Sequence, residues 1–380
     1  MRMDEDELDV KWDNMHAGIE AQPAYLRAGA VRDMYEAAAG LATPVPSRIY
    51  LVGAGDSHYA GIATRFAFER WTGIPTEALE SLEFSRYAVE AAPAGALVVA
   101  VSNSGRVART VEAVRFAGQR GVRSIGCTYF TDSALARAAS GTLAWSYEDV
   151  GFGPGTLSYL ASLVALYALA IRLGVATGRI GEAERDELLD SVTACADAVA
   201  WTITASRPVA ETVAAGINPG SVVTVIGGGP SYGTAVFGMA KFIESARHNA
   251  MGQELEEWAH EQYFVTGPGS HTFVVAPAGA SVDRAREQLQ AVRDVGGTAI
   301  AICDPADAAT AALADVVLPI RAPASELLSP IVTAVPLELV ALAYARRLGG
   351  TMLGFDDLNR RDVNWRQIYG SAIPDSPSPR

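Results

Sequence analysis

Apolar positions along this chain fall in short, nearly continuous runs. Each run ends in glycine or polar residues and gives way to a stretch with helical spacing. Residues 48–53, RIYLVG, form the first such run, and GAGDSHYAGIATRFAFERW follows it. A run this uniformly apolar predicts a strand buried on both faces. Residues 221–227, SVVTVIG, followed by GGPSYGTAVFGMAKFIES, repeat the arrangement, and Gly55 matches Gly229 and Ser57 matches Ser231 at an offset of 174. ALVVAVSNSG and TFVVAPAGAS pair at nearly the same offset. Each leads into an amphipathic stretch (VARTVEAVRFAGQRG; RAREQLQAVRDVGG) and another apolar run (SIGCTYF; AIAICDP). Strands alternating with helices predict parallel sheets flanked by helices. The period is too long for a solenoid and marks a duplicated α/β domain. The expected division is a helical segment over 1–34, one α/β domain over 35–178, a helical connector over 179–217, a second α/β domain over 218–350, and a C-terminal loop and tail over 351–380.

Length and charge narrow the classes. At roughly 150 residues per domain, 380 residues suit two or three domains. The net charge is −13, whereas a nucleic-acid partner calls for a basic face. No apolar run reaches the length, about 18 uncharged residues, that a membrane span needs. The nearest, residues 157–171, is broken by Ser158, Tyr159, Ser162 and Tyr167 and reads as a buried helix. The acidic N-terminus, MRMDEDELDV, does not read as a signal peptide. Cys127, Cys195 and Cys303 lie far apart, which fits a reduced, cytoplasmic protein. The five histidines, His16, His58, His248, His260 and His271, show no metal-ligand spacing, and no metal or organic cofactor is expected.

Ligands of open parallel sheets sit beyond the carboxyl ends of the strands. There, Ser102-Asn103-Ser104-Gly105 follows one predicted strand and precedes a helix. Two hydroxyls, an amide and a glycine at a helix start make an anion cradle, to which Ser57 adds a hydroxyl; the plainer alternative is that Ser104 caps the helix. The second copy carries Ala-Gly-Ala-Ser at the matching place, so one phosphate site per chain is expected, in the first domain. Gly53-x-Gly55 does not complete a dinucleotide fingerprint, because the third glycine would fall on His58. Only two of the 30 basic residues are lysines, Lys11 and Lys241. Lys241 and Glu244 share one helical face, and His260 follows in ELEEWAHEQYF. A carboxylate, an imidazole and an ammonium together suit proton transfer next to a carbonyl, although a solvated Glu244 and a structural His260 remain the bland alternatives.

Several stretches carry a resemblance. Met15-x-x-Gly-Ile-Glu-Ala-Gln22-Pro23 resembles the motif M-x-x-E-I-x-E-Q-P, Gly55-Asp56-Ser57 a G-T-S loop, and residues 102–105 an S-Q-S-G loop. Residues 235–244 resemble A-L-E-G-A-L-K-L-K-E, His260 falls at the histidine of K-H-G, and PIVTAVPLEL resembles P-I-x-x-x-x-P-L-Q-L. These are motifs of tandem sugar isomerase (SIS) domains, and the chain is similar to the isomerase half of glucosamine-6-phosphate synthase and to related sugar-phosphate deaminases and deglycases. The resemblance implies two SIS domains, each a mostly parallel, flavodoxin-like three-layer sandwich. It also implies that Gly55, Ser57, Ser102, Asn103 and Ser104 hold a sugar phosphate. Glu244 would move a proton between C1 and C2, His260 would assist ring opening from the partner subunit of a homodimer, and Lys241 would stand near the reacting carbons.

The departures shape the expected function. Arg2 stands where the synthase has a nucleophilic cysteine, and no glutaminase domain is seen, so a separate glutaminase subunit becomes a candidate partner. Arg106 and Val107 stand where the phosphate loop continues E-T, so a hydroxyl ligand is lost and a guanidinium is offered to a phosphate or carboxylate; an exposed arginine at a helix start is the alternative. Phe152-Gly153-Pro154-Gly155-Thr156 replaces V-A-S-T-K. Asp362-Val363-Asn364-Trp365, followed by Arg366, replaces the N-L-A-K loop, which puts Trp365 and Arg366 at the sugar and leaves Lys241 as the candidate for any imine. The expected activity is aldose–ketose isomerisation of an amino sugar phosphate coupled to amination or deamination. The alternatives are a deglycase or isomerase of a modified sugar, or a sugar-phosphate-binding regulator without catalysis.

Overall fold

The computed structural model describes residues 12–376; Lys11 and the acidic start lie outside them. The apolar runs form strands β1 (Arg48–Gly53), β2 (Thr76–Glu80), β3 (Ala96–Val101), β4 (Arg123–Thr128), β5 (Gly141–Ala144), β6 (Val223–Gly227), β7 (Ala250–Glu254), β8 (His271–Val275), β9 (Thr298–Cys303) and β10 (Val316–Pro319). They build two all-parallel sheets, ordered β2-β1-β3-β4-β5 and β10-β9-β8-β6-β7. Read from opposite edges, the two orders are the same, so the duplication seen in the sequence extends to topology. Central strands are buried along almost their whole length, as parallel sheets covered on both faces require.

The chain groups into two compact units that interleave along the sequence. One contains the first sheet: Ala28–Glu148, Ser158–Thr193 and residues 358–376. The other contains the second sheet: Trp12–Arg27, Asp149–Leu157 and Ala194–Asp357. These units cut across the linear division expected from the sequence. The helix Trp12–Arg27 and the loop Asp149–Leu157 pack with the second sheet, and the C-terminal segment packs with the first. The connector is one helix, Glu182–Gly216, whose residues divide between the units at Thr193.

In the first-sheet unit, Tyr50, Val52, Val98 and Ala100 pack against Phe84, Val111, Val114 and Phe116 from the covering helices. In the other, Ile226, Val274, Ala299 and Ala301 meet Trp258, Leu289 and Val292. Helices Leu157–Ala176 and Glu326–Leu348 are long and apolar enough to cross a membrane, but 83% and 89% of their most apolar windows are buried within the protein. Their hydrophobicity is that of core helices. Residues 351–380, read as loop and tail, include an 11-residue helix, Leu358–Ile368. Its faces carry few apolar positions, so hydrophobic periodicity did not reveal it.

Candidate active site

The first sheet reverses its winding between β1 and β3, which lie side by side with Val52 opposite Ala100. Connections diverge there and open a crevice at the carboxyl edge. Two loops flank it. The first ends at Gly55, the N-cap of the helix Asp56–Thr72, with φ 56° and ψ −135°. Its counterpart Gly229 caps the helix Pro230–Ala246 with φ 58° and ψ −128°. Positive φ is the reason both positions are glycine. Ser57 and His58 occupy the first helical turn after Gly55, and burial pushes the His58 imidazole below its ordinary pKa.

The second loop follows β3. Ser102 is buried, and its Oγ accepts the Gly105 N–H at 3.1 Å. Ser104 Oγ accepts the Arg106 N–H at 3.3 Å. Each hydroxyl keeps its own proton to donate. The capping alternative for Ser104 is overturned: Val107 is the N-cap of the helix Ala108–Gln119, and no side chain caps it. Its first amides are therefore open to an anion. Gly105 has φ 59°, and a Cβ there would collide with the Ser133 side chain. Asn103 Oδ1 accepts from Trp145 Nε1 and from the Tyr147 hydroxyl, each at 3.2 Å.

Arg106 is exposed, with its guanidinium 5.4 Å from the centre of the Tyr369 ring. Trp365 meets the same ring at 4.9 Å, and Arg366 is exposed. One turn beyond Arg106, Arg109 pairs with buried Glu112 and donates to the Ala372 carbonyl at 2.6 Å. The structure thus joins Arg106 and Trp365 through Tyr369, a residue the sequence reading missed. Its only sequence signal is its place four residues after Trp365.

In the other unit, Lys241 and Glu244 lie one turn apart on the helix Pro230–Ala246. The Lys241 side chain is fully buried, and its Nζ donates to Glu244 Oε2 at 2.6 Å and to the Gly155 carbonyl at 3.1 Å. It also lies 4.7 Å from the centre of the Phe237 ring. Glu244 is 31% exposed, so its carboxylate is both anchored and reachable. The loop carrying Gly155 is fixed in turn, because Asn14 Nδ2 donates to the Phe152 carbonyl at 2.9 Å and Phe152 stacks on Phe355 at 6.2 Å. His260 is separate: it is exposed, and its partner is Glu256 at 3.5 Å. Arg284 holds the Glu256 carboxyl below the usual carboxylate range.

The second copy of the cradle is built differently. In its loop the Ala280 N–H donates to Glu326 Oε2 at 3.0 Å. The chain's own carboxylate therefore occupies an amide of this loop. A groove of about 340 Å³ on the same unit is lined by Arg207, Leu339, Leu342 and Arg346. Arg207 pairs with Glu20 and Arg346 with Asp13, and none of the groove's residues belongs to the chemistry above.

Two all-parallel sheets of one strand order, each flanked by helices, define a duplicated α/β protein. The chain belongs to the SIS domain family, whose model matches residues 45–172 and 220–345. It is 29% identical over 309 residues to the isomerizing glutamine–fructose-6-phosphate aminotransferase of Mycobacterium tuberculosis, covering 80% of this chain and 49% of that protein. The chain spans about half the length of the curated relatives it matches. Among solved structures, the C-terminal domain of glucosamine-fructose-6-phosphate aminotransferase from Francisella tularensis superposes with a TM-score of 0.81 at 20% identity, covering 88% of this chain and 96% of that one. Glucosamine-6-phosphate deaminase from Thermotoga maritima gives 0.70 at 17% identity, covering 89% and 96%.

Proposed function

We propose that this protein is an aldose–ketose isomerase of an amino sugar phosphate, coupled to gain or loss of ammonia. The observation that carries the reading is the Lys241–Glu244 pair, a partly exposed carboxylate held by a buried ammonium. In this reading Glu244 takes the proton from the carbon next to the carbonyl or imine of the open-chain sugar and returns it to the neighbouring carbon. Lys241 holds that carboxylate in place. Its enclosed ammonium, which donates to Glu244 and to the Gly155 carbonyl, favours this role over imine formation. Ser57, Ser102, Asn103, Ser104 and the open amides before the helix Ala108–Gln119 hold the phosphate, with Arg106 at the rim. The names of the aminotransferase relative and of the deaminase neighbour both pair an amino group with a hexose 6-phosphate, which supports this choice of substrate.

The same reading includes a homodimer in which His260 serves the partner's site. Its support is that His260 is exposed beside Tyr263, Phe264 and Val265, which are 40%, 75% and 77% exposed. Exposed apolar residues of this kind suit a protein–protein contact. Sedimentation of the wild type and of Phe264→Asp tests it: the reading expects a dimer that the substitution dissociates, and a monomeric wild type rejects it.

Ammonium release from glucosamine 6-phosphate, with Glu244→Gln as control, tests the activity. Release matched by ketose phosphate and abolished in the control supports the reading. Binding without turnover in either protein favours the regulator alternative. The stacked Phe152 and Phe355 favour one further reading, a substrate bearing an apolar substituent, which a glycated or acylated sugar phosphate would reveal as the faster substrate.

A further inference from the structure

Asn103 accepts four hydrogen bonds. Its peptide carbonyl accepts from the Tyr129 N–H at 3.1 Å and from the Thr128 hydroxyl at 3.2 Å. Its side-chain Oδ1 accepts from Trp145 Nε1 and the Tyr147 hydroxyl, both at 3.2 Å. An indole N–H can only donate, so the atom it meets is the amide oxygen, and the orientation of the amide follows from chemistry. Two donors satisfy the two lone pairs of Oδ1. No described residue accepts from Nδ2, which leaves two N–H protons to offer.

The aromatic donors are themselves braced. Trp145 is 3% exposed. The Tyr129 ring lies 4.9 Å from that of Tyr147, and the Tyr129 hydroxyl donates to the Tyr147 carbonyl at 3.4 Å. Trp145 and Tyr147 follow β5, and Tyr129 follows β4, so all three stand at the carboxyl edge that carries the Ser102–Ser104 loop.

We infer that Trp145 and Tyr147 are positioning residues that fix Asn103 as a pure donor toward a phosphate monoester. This deepens the proposed function and rests on its assignment of the phosphate to this loop. Every group around the loop then gives a proton: the Nδ2 amide, the Ser104 hydroxyl and the uncapped helix amides. A set made only of donors suits an oxyanion better than a sugar hydroxyl, which needs acceptors as well, because donors bind charged oxygens more strongly.

The experiment measures Kd for inorganic phosphate and fructose 6-phosphate by calorimetry, and KM and kcat with glucosamine 6-phosphate. Tyr147→Phe removes one hydroxyl and should raise Kd and KM about fivefold while kcat at saturation stays within about twofold. Trp145→Phe with Tyr147→Phe frees the amide to rotate and should cost more than the two single changes multiplied. Asn103→Asp keeps an oxygen for both donors but removes the N–H protons, and should abolish phosphate binding with the fold retained. Unchanged Kd in Tyr147→Phe and Asn103→Asp, with phosphate still bound by the wild type, overturns the inference and leaves the proposed function standing. A wild type that binds neither phosphate nor the sugar phosphate overturns both.

Discussion

Lys241 donates to Glu244 Oε2 at 2.6 Å from a side chain with no solvent exposure, and the same ammonium reaches across to the carbonyl of Gly155. One cation therefore fixes the carboxylate proposed as the base and the loop beside it. Lys241→Met removes the charge, keeps much of the volume and leaves both acceptors without their donor. Urea unfolding should show a loss of about 2–4 kcal/mol, less than for a fully buried pair because Glu244 is partly hydrated. A change below about 0.5 kcal/mol would make the pair incidental.

Glu244→Gln should separate chemistry from binding. An amide cannot take up the carbon-bound proton, so kcat should fall by about 10²- to 10⁴-fold. The phosphate loop lies on the other unit's sheet, and affinity for the sugar phosphate should change by less than about threefold. Single-turnover assays with calorimetry read both quantities.

Gly105→Ala places a side chain at φ 59° and against Ser133. The positive φ and the collision together should lower stability by about 1–3 kcal/mol. The phosphate loop must shift to relieve them, so Kd for phosphate should rise as well. A variant as stable and as tight as the wild type would place the loop's order elsewhere.

These sites differ in how far the sequence disclosed them. The matched glycines Gly55 and Gly229 announced the duplication, because a backbone at positive φ restricts the residue that can occupy it. The strands were legible because parallel strands buried on both faces leave unbroken apolar runs. Lys241 and Glu244 were legible as a helical pair. The Gly155 carbonyl that meets Lys241 was not, since a peptide oxygen leaves no trace in composition. The same holds for the pairing of Trp145 and Tyr147 with Asn103, which joins residues more than 40 positions apart. The helix Leu358–Ile368 escaped notice because its charged and polar positions give it no apolar stripe.

Acid should weaken the fold through its buried histidines. Burial lowers the pKa values of His248, His271 and His58, and His271 lowers that of His248 further. His248 Nδ1 lies 3.1 Å from the Tyr344 hydroxyl. In the unfolded chain these imidazoles take up protons near pH 6.5, whereas the folded ones resist until lower pH. The unfolded state then binds more protons, so stability falls as pH drops below about 6.5. Urea midpoints should decline from pH 8 to pH 5, and less steeply in His248→Gln. Equal midpoints at both pH values in the wild type would contradict this.

Cys127 on β4, Cys303 on β9 and Cys195 on the helix Glu182–Gly216 are buried and in no disulfide, and burial pushes each thiol up to about 12. Thiolate chemistry at neutral pH is closed to them while the protein is folded. Each becomes a silent clock, started only when its own surroundings open. Alkylation followed by peptide mapping would time the loosening of the first sheet through Cys127 and of the second through Cys303, with no residue changed. If the duplicated halves yield at different denaturant concentrations, the two thiols would record it in a single tube.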